Sequence, residues 1–228
     1  MTKSQDMTET VAGSEETPKT GRIRRKRVAM ILAAAEQEFA LNGFKGTSTR
    51  AVATRAGLAK AQLHYYFLTK EELYRALLAS ILNDWNCHLP GPETLLEPGQ
   101  VLRNYITAKL RLSWDRPELS KIFAGELLRG APVLKEYIFA DQRQWLDQRE
   151  LLFKRWIAEG KMLALDPLQL IFMIWSVTQH YADYQVQVEA MMGRTRLTEA
   201  DFTQINEQVI GIILRGCGVA DLPSRSHP

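Results

Sequence analysis

Ser48-Thr49-Arg50-Ala51-Val52-Ala53-Thr54-Arg55-Ala56-Gly57-Leu58-Ala59-Lys60-Ala61-Gln62-Leu63-His64-Tyr65-Tyr66 is the stretch on which the reading of this chain turns. It spells two helices of about two turns each, joined at Ala56-Gly57-Leu58, with Gly57 free to take the positive φ of a tight turn. Val52, Ala53, Ala56, Leu58 and Leu63 are the small and apolar residues that let two short helices cross at a steep angle. The second helix then offers Lys60, Gln62, His64 and Tyr65, polar and aromatic groups suited to the edges and phosphates of a major groove. A generic helix pair has the same packing pattern, so the neighbouring sequence has to decide between the two.

Upstream, Val28, Ile31, Leu32, Ala35 and Phe39 fall on one face of a helix expected over about Ile23–Leu41, stopped by Asn42-Gly43. Downstream, Thr69 and Glu72 have the spacing of a capping box and open a helix running to about His88. Leu89-Pro90-Gly91-Pro92 ends it. Phe44-Lys45-Gly46-Thr47-Ser48, Val52-Ala53, Ala56-Gly57, Leu63-His64-Tyr65-Tyr66-Phe67 and Lys70-Glu71-Glu72-Leu73 together resemble the TetR family of regulators, over about Val28 to Leu78. That resemblance implies an all-α, nine-helix fold: a three-helix helix-turn-helix DNA-binding domain followed by a helical ligand and dimerisation domain.

By the same resemblance Thr47, Lys60, His64, Tyr65 and Lys70 stand where the family contacts phosphates, and Arg50 and Gln62 where side chains face bases. Tyr66 either contacts a phosphate or packs, and Phe67 belongs to the core. One position departs from the pattern: the recognition helix begins at Ala59, where the family has a Ser or Thr cap, and an uncapped helix is expected to fray without DNA. Lys19, Arg22, Arg24, Arg25, Lys26 and Arg27 run without an acid among them just ahead of this reader. Arg24, Arg25 and Lys26 are read as an arm adding phosphate or minor-groove contacts, against the alternative of a merely solvated segment.

The chain has 228 residues, 46% of them hydrophobic, enough for a substantial core, and a formal net charge of only +3, which by itself argues for no partner. Its two cysteines, Cys87 and Cys217, lack any CxxC or metal-like spacing and fit a reducing compartment. The N-terminus has no apolar core of a signal peptide, and the longest strongly apolar run, Leu170 to Trp175, is far short of the ~20 residues of a membrane span. A cytoplasmic protein without membrane contact is expected. Residues 1–20 are too polar to fold and read as a disordered tail; 21–68 form the DNA-binding domain, 69–218 the ligand-binding and dimerisation domain, and 219–228 a flexible tail. Beyond the Pro-Gly-Pro break, punctuation by Pro, Gly and capping residues sets helices at about 98–114, 117–129, 131–159, 166–190 and 198–216.

Within the second half, Gly130-Ala131-Pro132-Val133-Leu134, Asp166-Pro167, Leu170 to Trp175 and Thr178-Gln179-His180-Tyr181-Ala182-Asp183 resemble a narrower group of the family, repressors of pyrimidine utilisation. The resemblance implies a sensor of a uracil-like small polar ring. Helical spacing is compatible: Phe172, Trp175, Gln179, Ala182, Asp183 and Val186 share one broad face. Gln179 offers a donor and an acceptor, Asp183 an acceptor, and Trp175 a stacking wall, with Trp85 and Trp114 able to complete an aromatic pocket. The plainer alternative makes these residues satisfied core and interface groups.

His180 and Asp183 lie one turn apart, a metal-ligand spacing, but no third ligand is evident, and no phosphate loop, nucleophile elbow or HExxH occurs; no metal, cofactor or enzymatic role is expected. Phe202, Ile205, Val209 and Ile212 form an apolar stripe on the last helix and are assigned to a dimer interface. The function that emerges is a homodimeric transcriptional regulator, foremost a repressor, binding a palindromic double-stranded DNA operator and answering a small-molecule effector. The alternative keeps the DNA reader and makes the second half a protein-interaction module without a ligand.

Overall fold

The computed structural model describes residues 18–135 and 141–219, which form ten α-helices and no strand. We number them α1 (Pro18–Gly46), α2 (Thr49–Arg55), α3 (Lys60–Tyr66), α4 (Lys70–Asn86), α5 (Pro98–Asp115), α6 (Pro117–Leu128), α7 (Arg143–Ala158), α8 (Pro167–Asp183), α9 (Gln185–Met191) and α10 (Glu199–Gly216). No helix among the described residues is long and apolar enough to cross a membrane.

Four boundaries differ from expectation. Helix α1 begins at Pro18, so the stretch expected to be a tail loses its last residues to a helix, while residues 1–17 lie outside the described part. Of the helix expected over 131–159, residues 131–134 are not helical, Gly130 and Ala131 both taking positive φ, 84° and 53°; residues 136–140 lie outside the described part, and α7 covers Arg143–Ala158. The helix expected over 166–190 breaks where Tyr184 leaves helical geometry (φ −113°, ψ 29°), and the tenth helix is the piece so released. Val219, assigned to a flexible tail, is buried in the core; residues 220–228 lie outside the described part.

Two cores organise the helices. The first gathers Ile31, Ala35 and Phe39 of α1, Val52 and Leu63 of α2 and α3, and Leu73, Tyr74, Leu77 and Leu78 of α4, then continues into Ile122 and Phe123 of α6. Phe39, Phe44 and Tyr74 meet ring to ring within it, the Phe39–Tyr74 pair edge-on at 4.8 Å. The helix-turn-helix is therefore not packed by itself: α4 runs through its core and α6 rests on α1. The second core joins α5, α7, α8 and α10 around Tyr105, Phe153, Trp156, Ile171 and Ile210.

That second core corrects the interface assignment. Phe202, Ile205 and Val209 are 5%, 7% and 8% exposed and pack within this chain's own bundle, while Ile212 is 60% exposed. The apolar stripe is present, but α5 already covers it. Residue 212 lies about 60° round the helix from 209 and looks outward.

Candidate DNA-reading surface and effector cavity

Helix α2 is opened by Ser48, whose hydroxyl accepts from the Ala51 N–H at 3.1 Å. Gly57 takes φ 65° in the turn that follows, with Leu58 N–H donating to Ala53 C=O at 2.9 Å. Ala59 has no oxygen with which to cap α3, but Gln62 reaches back and its Oε1 accepts from the Ala59 N–H at 3.0 Å. This is one half of a capping box; the other half, an acceptor on the N-cap side chain, is missing as expected from Ala59. Gln62, read as a base-facing residue, thus holds its own helix in the DNA-free protein.

Lys60, Arg50 and Tyr65 are exposed, Tyr65 at 77%, and Arg24, Arg25 and Lys26 are exposed on α1. Tyr66 is half-buried with its ring edge-on to Tyr65 at 5.1 Å, and the His64 imidazole Nδ1 lies 3.1 Å from the Leu68 carbonyl. Two residues read as phosphate contacts are placed otherwise. Thr47 is 3% exposed and its hydroxyl is spent on the carbonyls of Glu38 (2.9 Å) and Gly43 (2.8 Å). Lys70 donates from Nζ to the carbonyls of Phe44 (2.8 Å) and Thr47 (3.1 Å) over the Phe44 ring. Thr47 ties the segment after α1 back onto that helix, and Lys70 ties α4 to the same end with a favourable cation. They are latches of the reader and not its exposed hands. Arg55 adds a third, pairing with Glu38 at 2.6 Å to tie α2 to α1.

Thr69 caps α4 as expected, accepting from Glu72 N–H at 3.0 Å, whereas the Glu72 carboxylate accepts from Leu68 N–H at 2.9 Å. At its other end α4 carries Trp85, and there a cavity of about 130 Å³ opens between α4, α5, α6 and α8. Trp85, Lys109, Phe123, Gln142, Trp175 and Gln179 are among its walls. Trp85 stands edge-on to Phe123 at 5.0 Å, and the Trp175 indole N–H donates to the Tyr105 hydroxyl at 2.8 Å, which fixes that ring. Asn86 donates to the Gln142 side-chain oxygen at 3.1 Å. Among the described residues nothing hydrogen-bonds the Gln179 side chain.

The fold thus brings three of the five candidate ligand residues together, Trp85, Trp175 and Gln179, and separates the others. Trp114 lies edge-on to Phe202 at 5.2 Å and lines a different cavity with Tyr181 and Gln185. Asp183 accepts from the Ser120 hydroxyl at 2.6 Å and faces an open groove with Phe172, His180 and Tyr184. Burial lifts its carboxyl above the ordinary range. That groove shares Leu127, Trp175 and Gln179 with the cavity, so the two adjoin at the α8 wall. His180 stacks on Tyr184 at 5.1 Å, and no group of three metal-ligating side chains occurs among the described residues.

Sequence reasoning missed Lys109. It is 1% exposed, its Nζ lies 4.2 Å from the Trp85 ring centroid, and burial draws its pKa from 10.5 down to about 7. A signal was present: Leu102, Tyr105, Ile106, Lys109 and Leu110 are spaced as one buried face, and a lysine occupies a core position of it.

Comparison with known proteins identifies the chain. Residues 31–77 match the family described as "Bacterial regulatory proteins, tetR family", and residues 78–220 match "YcdC-like protein, C-terminal region". The chain belongs to the TetR family. It is 40% identical over 200 residues to the HTH-type transcriptional regulator RutR of Escherichia coli (strain K12), covering 88% of this chain and 94% of RutR. The fold is shared with solved transcriptional regulators of lower identity. FadR from Bacillus subtilis, solved with stearoyl-CoA, has a TM-score of 0.64 at 18% identity, covering 82% of this chain and 98% of FadR. The ketosteroid regulator KstR2 of Mycobacterium tuberculosis has 0.62 at 21%, covering 84% and 94%. This TetR-family protein is a DNA-binding transcriptional regulator.

Proposed function

We propose that this regulator is a dimeric repressor that binds a palindromic operator and answers a small planar ring of the pyrimidine type, bound between Trp85 and Trp175. The observation that carries the reading is the unpaired Gln179 amide in an aromatic cavity of about 130 Å³. Gln179 is half-buried, and a ring edge with adjacent N–H and C=O groups pairs with its amide in both senses. The volume admits one small ring or several waters.

Helix α4 offers the route to DNA. Its far end carries Trp85, and its near end carries Lys70, which grips the last carbonyls of α1. A ligand that favours one position of α4 over another changes the spacing of the two readers of a dimer, and it acts only through that difference in affinity. For the dimer itself the exposed apolar residues Phe172 and Met173 of α8 and Ile212 of α10 are the candidates.

Calorimetry with uracil and thymine, against a purine and an aliphatic acid, tests the ligand. Gln179→Leu is expected to lose the response of operator binding to the ring, read against operator affinity measured without it. Full response in Gln179→Leu, or no pyrimidine binding below about millimolar, ends this reading.

A further inference from the structure

We propose that Lys109 is the anchoring cation of the effector site: the ligand is an acidic ring, bound as its anion, with a negatively charged oxygen on Nζ of Lys109 while its amide edge meets Gln179. The inference rests on the cavity being the effector site. Lys109 is the only charged side chain that lines the cavity among the described residues; α4, α6, α7 and α8 present none there. Its Nζ lies over two indoles, 4.2 Å from the Trp85 centroid and 5.9 Å from that of Trp175, the two rings that would sandwich a flat ligand.

No hydrogen bond or ion pair reaches Lys109 among the described residues. Asp183 of α8 is the charge that acts on it, from a distance, and that carboxylate is held by Ser120 on the groove side. A buried cation ordinarily has a hydrogen-bonded counter-ion, and aromatic faces are a weak substitute. Here the protein supplies the cation, the stacking walls and an amide, and lacks only the anion. The lowered pKa of Lys109 fits this arrangement. An entering anion would restore the ammonium, so binding above neutral pH draws a proton from solution.

The experiment compares two flat rings of similar size, uracil, neutral at pH 7, and barbiturate, an anion at pH 7, by calorimetry on the full-length protein. Wild type is expected to bind barbiturate at least about tenfold tighter than uracil, a preference set by the charge-assisted contact. At pH 8, titrations in buffers of different ionisation enthalpy should show uptake approaching one proton per site. Lys109→Met should bring the two rings to within about threefold and abolish the uptake. Lys109→Gln, polar and uncharged, should do the same, and serves should the methionine variant fold poorly. Equal binding of the two rings by wild type, or an undiminished preference in both variants, overturns the assignment of Lys109 while leaving the cavity as the effector site. If neither ring binds wild type, the cavity reading falls and this inference with it.

Discussion

Replacing Lys109 by methionine, which fills the same space without the charge, should change how stability depends on pH. In the unfolded chain the ammonium has its ordinary pKa of 10.5, and in the folded chain burial draws it to about 7. Between these values the unfolded state holds a proton that the folded state has released, so stability rises with pH. The contribution is fully present above the unfolded value and is lost as pH falls toward the folded one. Each pH step through the window is worth about 1.4 kcal/mol, and the first counts for less because the folded group is still half protonated at pH 7. From pH 7 to pH 9 the wild type should therefore gain on the order of 2 kcal/mol relative to Lys109→Met. Groups such as Cys217, whose thiol burial pushes up to about 11, titrate alike in both proteins and drop out of the difference. The assay is urea unfolding of effector-free protein followed by tryptophan fluorescence, at fixed protein concentration because association contributes to apparent stability. At pH 7 the methionine variant should be the more stable. A difference that stays flat from pH 7 to 9, or a variant less stable than wild type at pH 7, refutes the picture of an uncompensated buried cation.

The last helix separates two roles for its apolar residues. Ile212→Asp should leave the fold intact and shift sedimentation from dimer to monomer with loss of operator binding, whereas Val209→Asp, placing a charge in the chain's own core, should cost several kcal/mol and unfold it. In the reader, Lys60→Ala should weaken binding to all DNA sequences and lower the salt slope by about one, as seen in filter binding or anisotropy across salt concentrations. Lys70→Ala should instead show first as a lower melting temperature, because its Nζ holds the end of α1. Ala59→Ser should add the missing N-cap acceptor to α3, completing the capping box with Gln62, and raise stability by about 1 kcal/mol by calorimetry; no gain would refute the open helix end.

The sequence by itself determined what depends on neighbours along the chain. The helix-turn-helix was legible from Gly57 and the small residues around it, the start of α4 from Thr69, and the start of α8 from Asp166-Pro167, since turn geometry and capping are local. Trp175 and Gln179 were legible as a pair because one turn of helix puts them on one face. The tertiary structure decided what depends on contacts between distant segments. It alone showed that Thr47 and Lys70 spend their polar groups on the end of α1, and that Gln62 folds back on Ala59. It turned Phe202, Ile205 and Val209 toward α5, because a stripe has a direction only once its partner helix is placed. It set Trp114 apart from Trp85, although both are tryptophans on amphipathic helices. It also joined Lys109 of α5 to Trp85 of α4 and Trp175 of α8. A lysine on an apolar face is an anomaly in sequence, and it becomes a charge lacking a counter-ion only when three helices close around it.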